Sequence, residues 1–68
     1  MEISARNQLR GRVTAITLGG VMAEVRVQVG PNEIVSVITR ASAEGLGIRV
    51  GDEVVAIVKS TEVMIGKP

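Results

Sequence analysis

Residues 21 to 29 read Val-Met-Ala-Glu-Val-Arg-Val-Gln-Val, and this stretch decides the fold. Aliphatic side chains occupy every second position, at Val21, Ala23, Val25, Val27 and Val29. Because successive side chains of a β-strand point to opposite faces, this period of two predicts a strand with one buried face. It is the clearest strand signal in the chain, and the neighbouring segments are best interpreted from it.

Turn signals on both sides of this strand predict its neighbours. Gly19-Gly20 precedes it and indicates a hairpin, which makes residues 9–18 its antiparallel partner. Gly30-Pro31-Asn32 follows it and leads into a third strand, rich in Ile and Val, at residues 33–39. Gly51-Asp52 turns the chain into its last part. Two further strands are expected there, at residues 53–59 and 61–65.

One segment, from Arg40 to Gly47, lacks β-branched residues and predicts a short helix. Thr39 is placed as its N-cap, and Gly47 stands where a glycine would end one or two turns. Five short strands with a helix between the third and the fourth follow the plan of the OB fold. The sequence therefore predicts an all-β protein, a five-stranded OB-like Greek-key barrel with one short helix, in a single domain of residues 1–68.

The composition excludes several classes of function. The chain has no Cys, no His and no aromatic residue. Disulfides, zinc ribbons, most transition-metal sites and nucleophile–imidazole pairs are therefore excluded, and we expect no enzyme, no metal cation and no nucleotide. The net charge of +1 gives no basic footprint. An OB module for nucleic acid, the alternative that this fold leaves open, would also need aromatic side chains for base stacking.

Size and hydropathy predict self-association and give no sign of a membrane segment. A domain of this length buries only about 60% of its unfolded surface, yet 46% of the residues are hydrophobic. Without disulfides or metals, oligomerisation is the remaining source of stability. The longest aliphatic run, Val54–Val58, is too short to span a bilayer, and the N-terminus lacks the features of a signal peptide. We expect a cytoplasmic protein.

Three polar clusters are not required by the strand pattern. They are Ser4-Ala5-Arg6-Asn7-Gln8, the pair Thr39 and Ser42, and Lys59-Ser60-Thr61. They offer hydroxyl, guanidinium and ammonium donors but no carboxylate, which favours an anion as ligand. Each also has an ordinary structural interpretation, as a solvated arm, a helix cap and the exposed end of a strand.

The motifs resemble those of the Mop family of molybdate-binding proteins. Residues 4–8 with Leu9-Arg10-Gly11-Arg12-Val13 resemble the opening motif of that family, and Val58–Ile65 resembles its closing motif. The segment from Ile38 to Ile48 resembles its helix, so the similarity covers essentially the whole chain as one Mop, or TOBE-like, domain. The resemblance implies an OB-like barrel that assembles as a hexamer, a trimer of dimers, with oxyanions at subunit interfaces.

The resemblance also implies which residues bind the anion. Ser4 and Arg6 would come from one subunit. Its neighbour would supply Thr39, Ser42, Lys59 and Ser60. A second anion site, nearer the three-fold axis, is implied as well. Its candidate residues are Asn7, Gly19 and Gly20.

The implied function is intracellular binding of molybdate for the storage and homeostasis of molybdenum, with tungstate as a substitute of nearly the same size. The tetrahedral dianion offers only acceptors, so a shell of donors without carboxylates suits it. An alternative is a regulatory or interaction module of a molybdate transport system. Met1 directly before the first motif, and the chain end soon after the last, favour a free-standing protein.

Overall fold

The fold consists of an antiparallel sheet and one short helix, described for residues 1–68 by a computed structural model. The elements in chain order are β1 (Asn7–Leu18), β2 (Met22–Val29), β3 (Asn32–Thr39), α1 (Arg40–Leu46), β4 (Glu53–Val58) and a 3-10 turn (Ser60–Glu62). The strands lie in the order β3-β2-β1-β4. The single α-helix has seven residues, and no helix of the chain is long and apolar enough to cross a bilayer.

Strand β1 lies between two partners and is irregular near the point where the pairing with one ends and the pairing with the other begins. Its residues 7–12 pair with β4, and its residues 12–18 pair with β2. The register shifts between Val13 and Ala15, which leaves Thr14 as the extra residue of a β-bulge. A bulge bends its strand and increases the local twist, so one 12-residue strand serves both halves of the sheet.

The predicted β1–β2 hairpin, the three strands around the first two turns and the helix are confirmed. The Gly19 N–H donates to the Met22 carbonyl across the hairpin turn at 2.7 Å. Strand β1 begins at Asn7, two residues earlier than expected, because the polar end of the first cluster pairs with β4. The helix begins after Thr39 and ends at Gly47, which has the left-handed conformation (φ 65°, ψ 31°) that favours glycine.

The fifth strand, expected over residues 61–65, is not formed within the chain. The Glu62 N–H donates to the Lys59 carbonyl in the 3-10 turn, and the residues that follow have no regular structure. Val63 is extended, but Met64 and Ile65 are 93% and 90% exposed. The apolar pattern specifies an extended segment, whereas a strand also requires a neighbouring edge, which this chain does not supply here. The sheet therefore has four strands and is not closed into a five-stranded barrel.

The core is small and consists of β-branched and small side chains. The buried residues are Val13, Ala23, Val25, Val27 and Ala43. Three of them form the inward face predicted for β2. Val21 is 75% exposed instead, because it lies in the hairpin turn before the strand begins.

Much apolar surface remains uncovered. The chain exposes 5443 Å², whereas a compact monomer of 7.1 kDa exposes about 4,100 Å². Large aliphatic side chains on β1 and β3 and in the C-terminal segment contribute to the exposed surface. Such surface indicates contact with another molecule.

At Gly11, β1 lies too close to β2 to leave room for a side chain. A Cβ atom at this position would lie 2.5 Å from the Gln28 carbonyl oxygen and 2.6 Å from a methyl group of Val27. Both neighbours belong to β2. The nearer one is a backbone atom and the other is on a buried side chain, so neither can move freely. Only glycine, which has no side chain, allows β1 to lie this close to β2.

Gly11→Ala is expected to destabilise the protein by about 1–3 kcal/mol, because the added methyl group would clash with β2. Gly45→Ala is the matched control, since nothing lies within 4 Å of its added Cβ in α1. That change is expected to stabilise the helix by about 0.5–1 kcal/mol. Urea unfolding midpoints at one protein concentration measure both, and equal effects of the two changes would contradict the role of Gly11.

Candidate anion-binding site

The first and third polar clusters lie at the same end of the sheet. Asn7 pairs with Val58, so their chain neighbours Arg6 and Lys59 leave the β1–β4 ladder together. Paired Cα atoms are about 5.5 Å apart and each neighbour adds about 3.8 Å, which places the Cα atoms of Arg6 and Lys59 at most about 13 Å apart. Both side chains are long enough to reach one ligand between them. We call Ser4, Arg6, Lys59 and Ser60 the terminal group.

The two cations of the terminal group have no acidic partner. The ion pairs of the chain join Arg10 to Glu53, Arg26 to Glu24 and Glu33, and Arg40 to Glu44. Arg6 and Lys59 are exposed and belong to none of these pairs. The nearest acidic residues along the chain, Glu2 and Glu62, form no ion pair with them either. The terminal group therefore presents two uncompensated positive charges.

The second cluster, Thr39 and Ser42, forms the start of α1, and we call it the cap group. The Thr39 hydroxyl oxygen accepts the Ser42 backbone N–H at 3.0 Å, as its predicted role of N-cap requires. The Thr39 hydroxyl also donates to the Ser42 hydroxyl oxygen at 2.7 Å. Since Thr39 uses its proton in this way, the hydroxyl proton of Ser42 remains available to an acceptor outside the chain.

The two groups lie in different parts of the sheet. Thr39 pairs with Met22 beside the β1–β2 hairpin, whereas the terminal group adjoins Asn7 at the start of β1. No hydrogen bond or ion pair joins the groups. The resemblance implied that Lys59 and Ser60 act on the same side as the cap group, but strand pairing places them beside Ser4 and Arg6.

The residues considered for a second anion site are also separated. Asn7 is half-buried at the start of β1, next to the terminal group. Gly19 and Gly20 lie in the hairpin turn, next to the cap group. Both polar groups of the Gly19 backbone are occupied, because its N–H donates to Met22 and its carbonyl accepts from Arg40 at 3.1 Å. The role of all three residues stays a prediction.

Arg26 illustrates a cation that is not available to an anion. Its guanidinium donates to Glu33 at 2.7 Å and to Glu24 at 2.8 Å, on the outer face of β2 and β3. These hydrogen bonds, first to Glu33 and then to Glu24, raise the pKa of Arg26 above its ordinary value. The alternating polar face of β2 is therefore a face of internal ion pairs.

Sequence reasoning missed one residue beside the cap group. Arg40 donates its backbone N–H to the Val21 carbonyl at 2.7 Å and its guanidinium to Gly19 and Glu44. The spacing of Arg40 and Glu44, four residues apart on a predicted helix, is the signal that could have identified this ion pair. The contact with the hairpin could not be predicted from spacing.

Comparison with known proteins agrees with the motifs. Residues 3–65 match the TOBE domain. The chain is 52% identical over 66 residues to molybdenum-pterin-binding protein 2 of Clostridium pasteurianum, covering 96% of this chain and 97% of that protein. It is 53% identical over 66 residues to the molybdenum transport protein ModE of Azotobacter vinelandii, but it spans only 24% of that longer protein.

Solved structures have the same fold. MopII from Clostridium pasteurianum superposes with a TM-score of 0.92 at 49% identity, covering 97% of this chain and 100% of that one. A molybdate-binding protein from Sporomusa ovata superposes with a TM-score of 0.93 at 40% identity, covering 98% and 100%. The chain belongs to the TOBE-domain family. Its relatives of matching length are molybdenum-pterin-binding (Mop) proteins, which confirms the resemblance drawn from the motifs.

The two hydroxyls of the cap group have different roles. The Thr39 hydroxyl caps the helix, whereas the proton of the Ser42 hydroxyl is free. Thr39→Ala removes the acceptor of the cap bond and is expected to cost about 1 kcal/mol of stability. Ser42→Ala leaves that bond intact, because the donor is the backbone N–H, and is expected to stay within about 0.5 kcal/mol of the original protein. Chemical unfolding of the two variants measures the difference, and a larger loss for Ser42→Ala would contradict the assignment.

Proposed function

We propose that the protein binds molybdate at interfaces between copies of itself, with the terminal group of one copy facing the cap group of another. The observation that carries this proposal is the pair of uncompensated cations, Arg6 and Lys59, at one end of the β1–β4 ladder. Relatives named molybdenum-pterin-binding proteins, and the molybdate-binding protein from Sporomusa ovata, support the choice of ligand.

The chemistry of the two groups suits a tetrahedral dianion. One Arg and one Lys balance two negative charges, and a buried charge is tolerated only when it is paired and hydrogen-bonded. The hydroxyls of Ser4, Ser42 and Ser60 are donors for the oxygens that the cations leave unsatisfied. Protonated phosphate would find no carboxylate to accept its O–H, and its proton would compete for hydroxyl oxygens whose own protons the dianion uses, which disfavours it. Tungstate, with the same charge and nearly the same size, is expected to bind in the same way.

Assembly is part of this proposal, because one chain holds two incomplete halves of the site. The exposed apolar surface supports association with further copies. We propose a hexamer built as a trimer of dimers, in which a two-fold axis makes two equivalent sites from each pair of chains. Residues 61–65 would then become the fifth strand by pairing with an edge of a neighbouring copy, and the barrel would be closed only in the assembly.

The biological role that follows is storage and homeostasis of molybdenum in the cytoplasm. The cytoplasmic molybdate-binding protein ModG, whose structure superposes with a TM-score of 0.83 and 44% identity over 88% of this chain and 43% of that one, supports the ligand and the compartment. The donors form no nucleophile–base pair, so the proposed activity is binding and not catalysis.

A second role, as a module that acts with a transport system, is favoured by the match to ModE, in which the corresponding segment is about a quarter of a longer protein. The two roles differ in their partners. Storage requires only copies of this chain, whereas a module requires a second protein in fixed stoichiometry after purification from its own cells.

Calorimetric titration with molybdate tests the site. Arg6→Ala is expected to weaken binding about ten- to hundredfold, because it removes a charge-assisted hydrogen bond worth about 1.5–3 kcal/mol. Arg49→Ala is the matched control, since Arg49 is also exposed and has no ion pair.

Molybdate at one hundred times Kd is expected to stabilise the original protein by about 2.7 kcal/mol, which raises its Tm by at least about 10 °C. An unchanged Tm, or equal losses in both variants, would contradict the proposal.

Native mass spectrometry tests the assembly independently of the ligand. Six copies of the 7.1 kDa chain are expected to form one species of about 43 kDa. A species that stays at 7.1 kDa at micromolar concentration would refute an interface site, because the terminal and cap groups would then have no second chain to meet.

A further inference from the structure

We propose that Arg40 is a positioning residue for the anion site: it holds the cap group against the β1–β2 hairpin and neutralises Glu44 beside it. The inference rests on the proposed function and adds a residue that does not itself touch the anion. It concerns how the Thr39–Ser42 half of the site is kept in place and kept free of negative charge.

Two of the hydrogen-bond donors of Arg40 support the first part, the contact with the hairpin. The Arg40 backbone N–H donates to Val21 at 2.7 Å, and its Nη1 donates to the Gly19 carbonyl at 3.1 Å. One residue therefore attaches the start of α1 to the hairpin through both its backbone and its side chain. Because Thr39 directly precedes Arg40, a shift of the hairpin contact is transmitted to the cap group within one residue.

The charge balance supports the second part. The Arg40 Nε donates to the Glu44 carboxylate at 2.7 Å. Glu44 and Thr39 line the same cleft between the hairpin and the helix. A free carboxylate there would repel an approaching dianion and offer it no donor. The Arg40 guanidinium compensates this charge, so the cleft that Thr39 lines carries no net negative charge next to the cap group.

The test compares molybdate affinities of the assembled, full-length protein by calorimetry. Arg40→Gln keeps the backbone contact with Val21, removes the guanidinium and frees the Glu44 carboxylate. It is expected to weaken binding about tenfold. Arg40→Gln combined with Glu44→Gln removes the freed charge as well. The double variant is expected to bind molybdate at least about twofold more tightly than Arg40→Gln alone. A merely structural role of Arg40 would leave the double variant as weak as the single one, which would overturn the inference.

Glu44→Gln alone gives an independent outcome that does not depend on the folding of an Arg40 variant. It leaves the hairpin contacts in place and exposes the positive charge of Arg40 near the cap group. Binding is expected to become about two- to threefold tighter. Weaker binding in this variant would overturn the inference.

Arg26→Gln is the matched control, because Arg26 has the same side-chain exposure of 43% and two carboxylate partners, but lies on the outer face of β2. Its affinity is expected to stay within about twofold of the original protein. A loss as large as that of Arg40→Gln would indicate a general charge effect and overturn the inference. If the original protein binds no molybdate, the proposed function itself fails; if it binds and Arg40→Gln binds equally well, only this inference fails.

Discussion

The close approach of β1 to β2 at Gly11 is the constraint on which the rest of the structure depends. With no side chain at this point, and with the bulge at Thr14 three residues later, β1 bends from one partner to the other. The same strand therefore carries the hairpin that supports α1 and the ladder that brings the two chain ends together. Because β1 lies between β2 and β4, its pairing with β4 places Arg6 beside Lys59, while its pairing with β2 forms the hairpin.

The distribution of charge follows the same division of the sheet. On the outer face of β2 and β3, the Arg26 guanidinium is held between two carboxylates, which leaves little charge for a ligand. At the start of β1, Arg6 and Lys59 have no acidic partner. A net charge of +1 says nothing about this arrangement, because the sum does not report which cations are already compensated.

Local features of the fold could be predicted from the sequence, whereas those that depend on distant partners could not. The alternation in β2, the cap at Thr39 and the glycine at 47 act within a few residues, and each was placed correctly. The grouping of Lys59 with Arg6 depends on the register of β1 with β4, which no spacing along the chain encodes. The segment at residues 61–65 has a strand-like pattern, but no strand of the chain pairs with it. The candidate site was likewise predicted as two sets of residues, but the position of Lys59 and Ser60 next to the first set within one chain was not.

The small core has a consequence for how the protein keeps its shape. Only five residues are buried in a single chain, so in the proposed assembly the contacts between chains add hydrophobic stabilisation that the single chain lacks. Folding and association then become one equilibrium governed by mass action. Dilution would act on such a protein as a denaturant does, and the number of chains in the cell, as well as the sequence of each, would determine how many are folded.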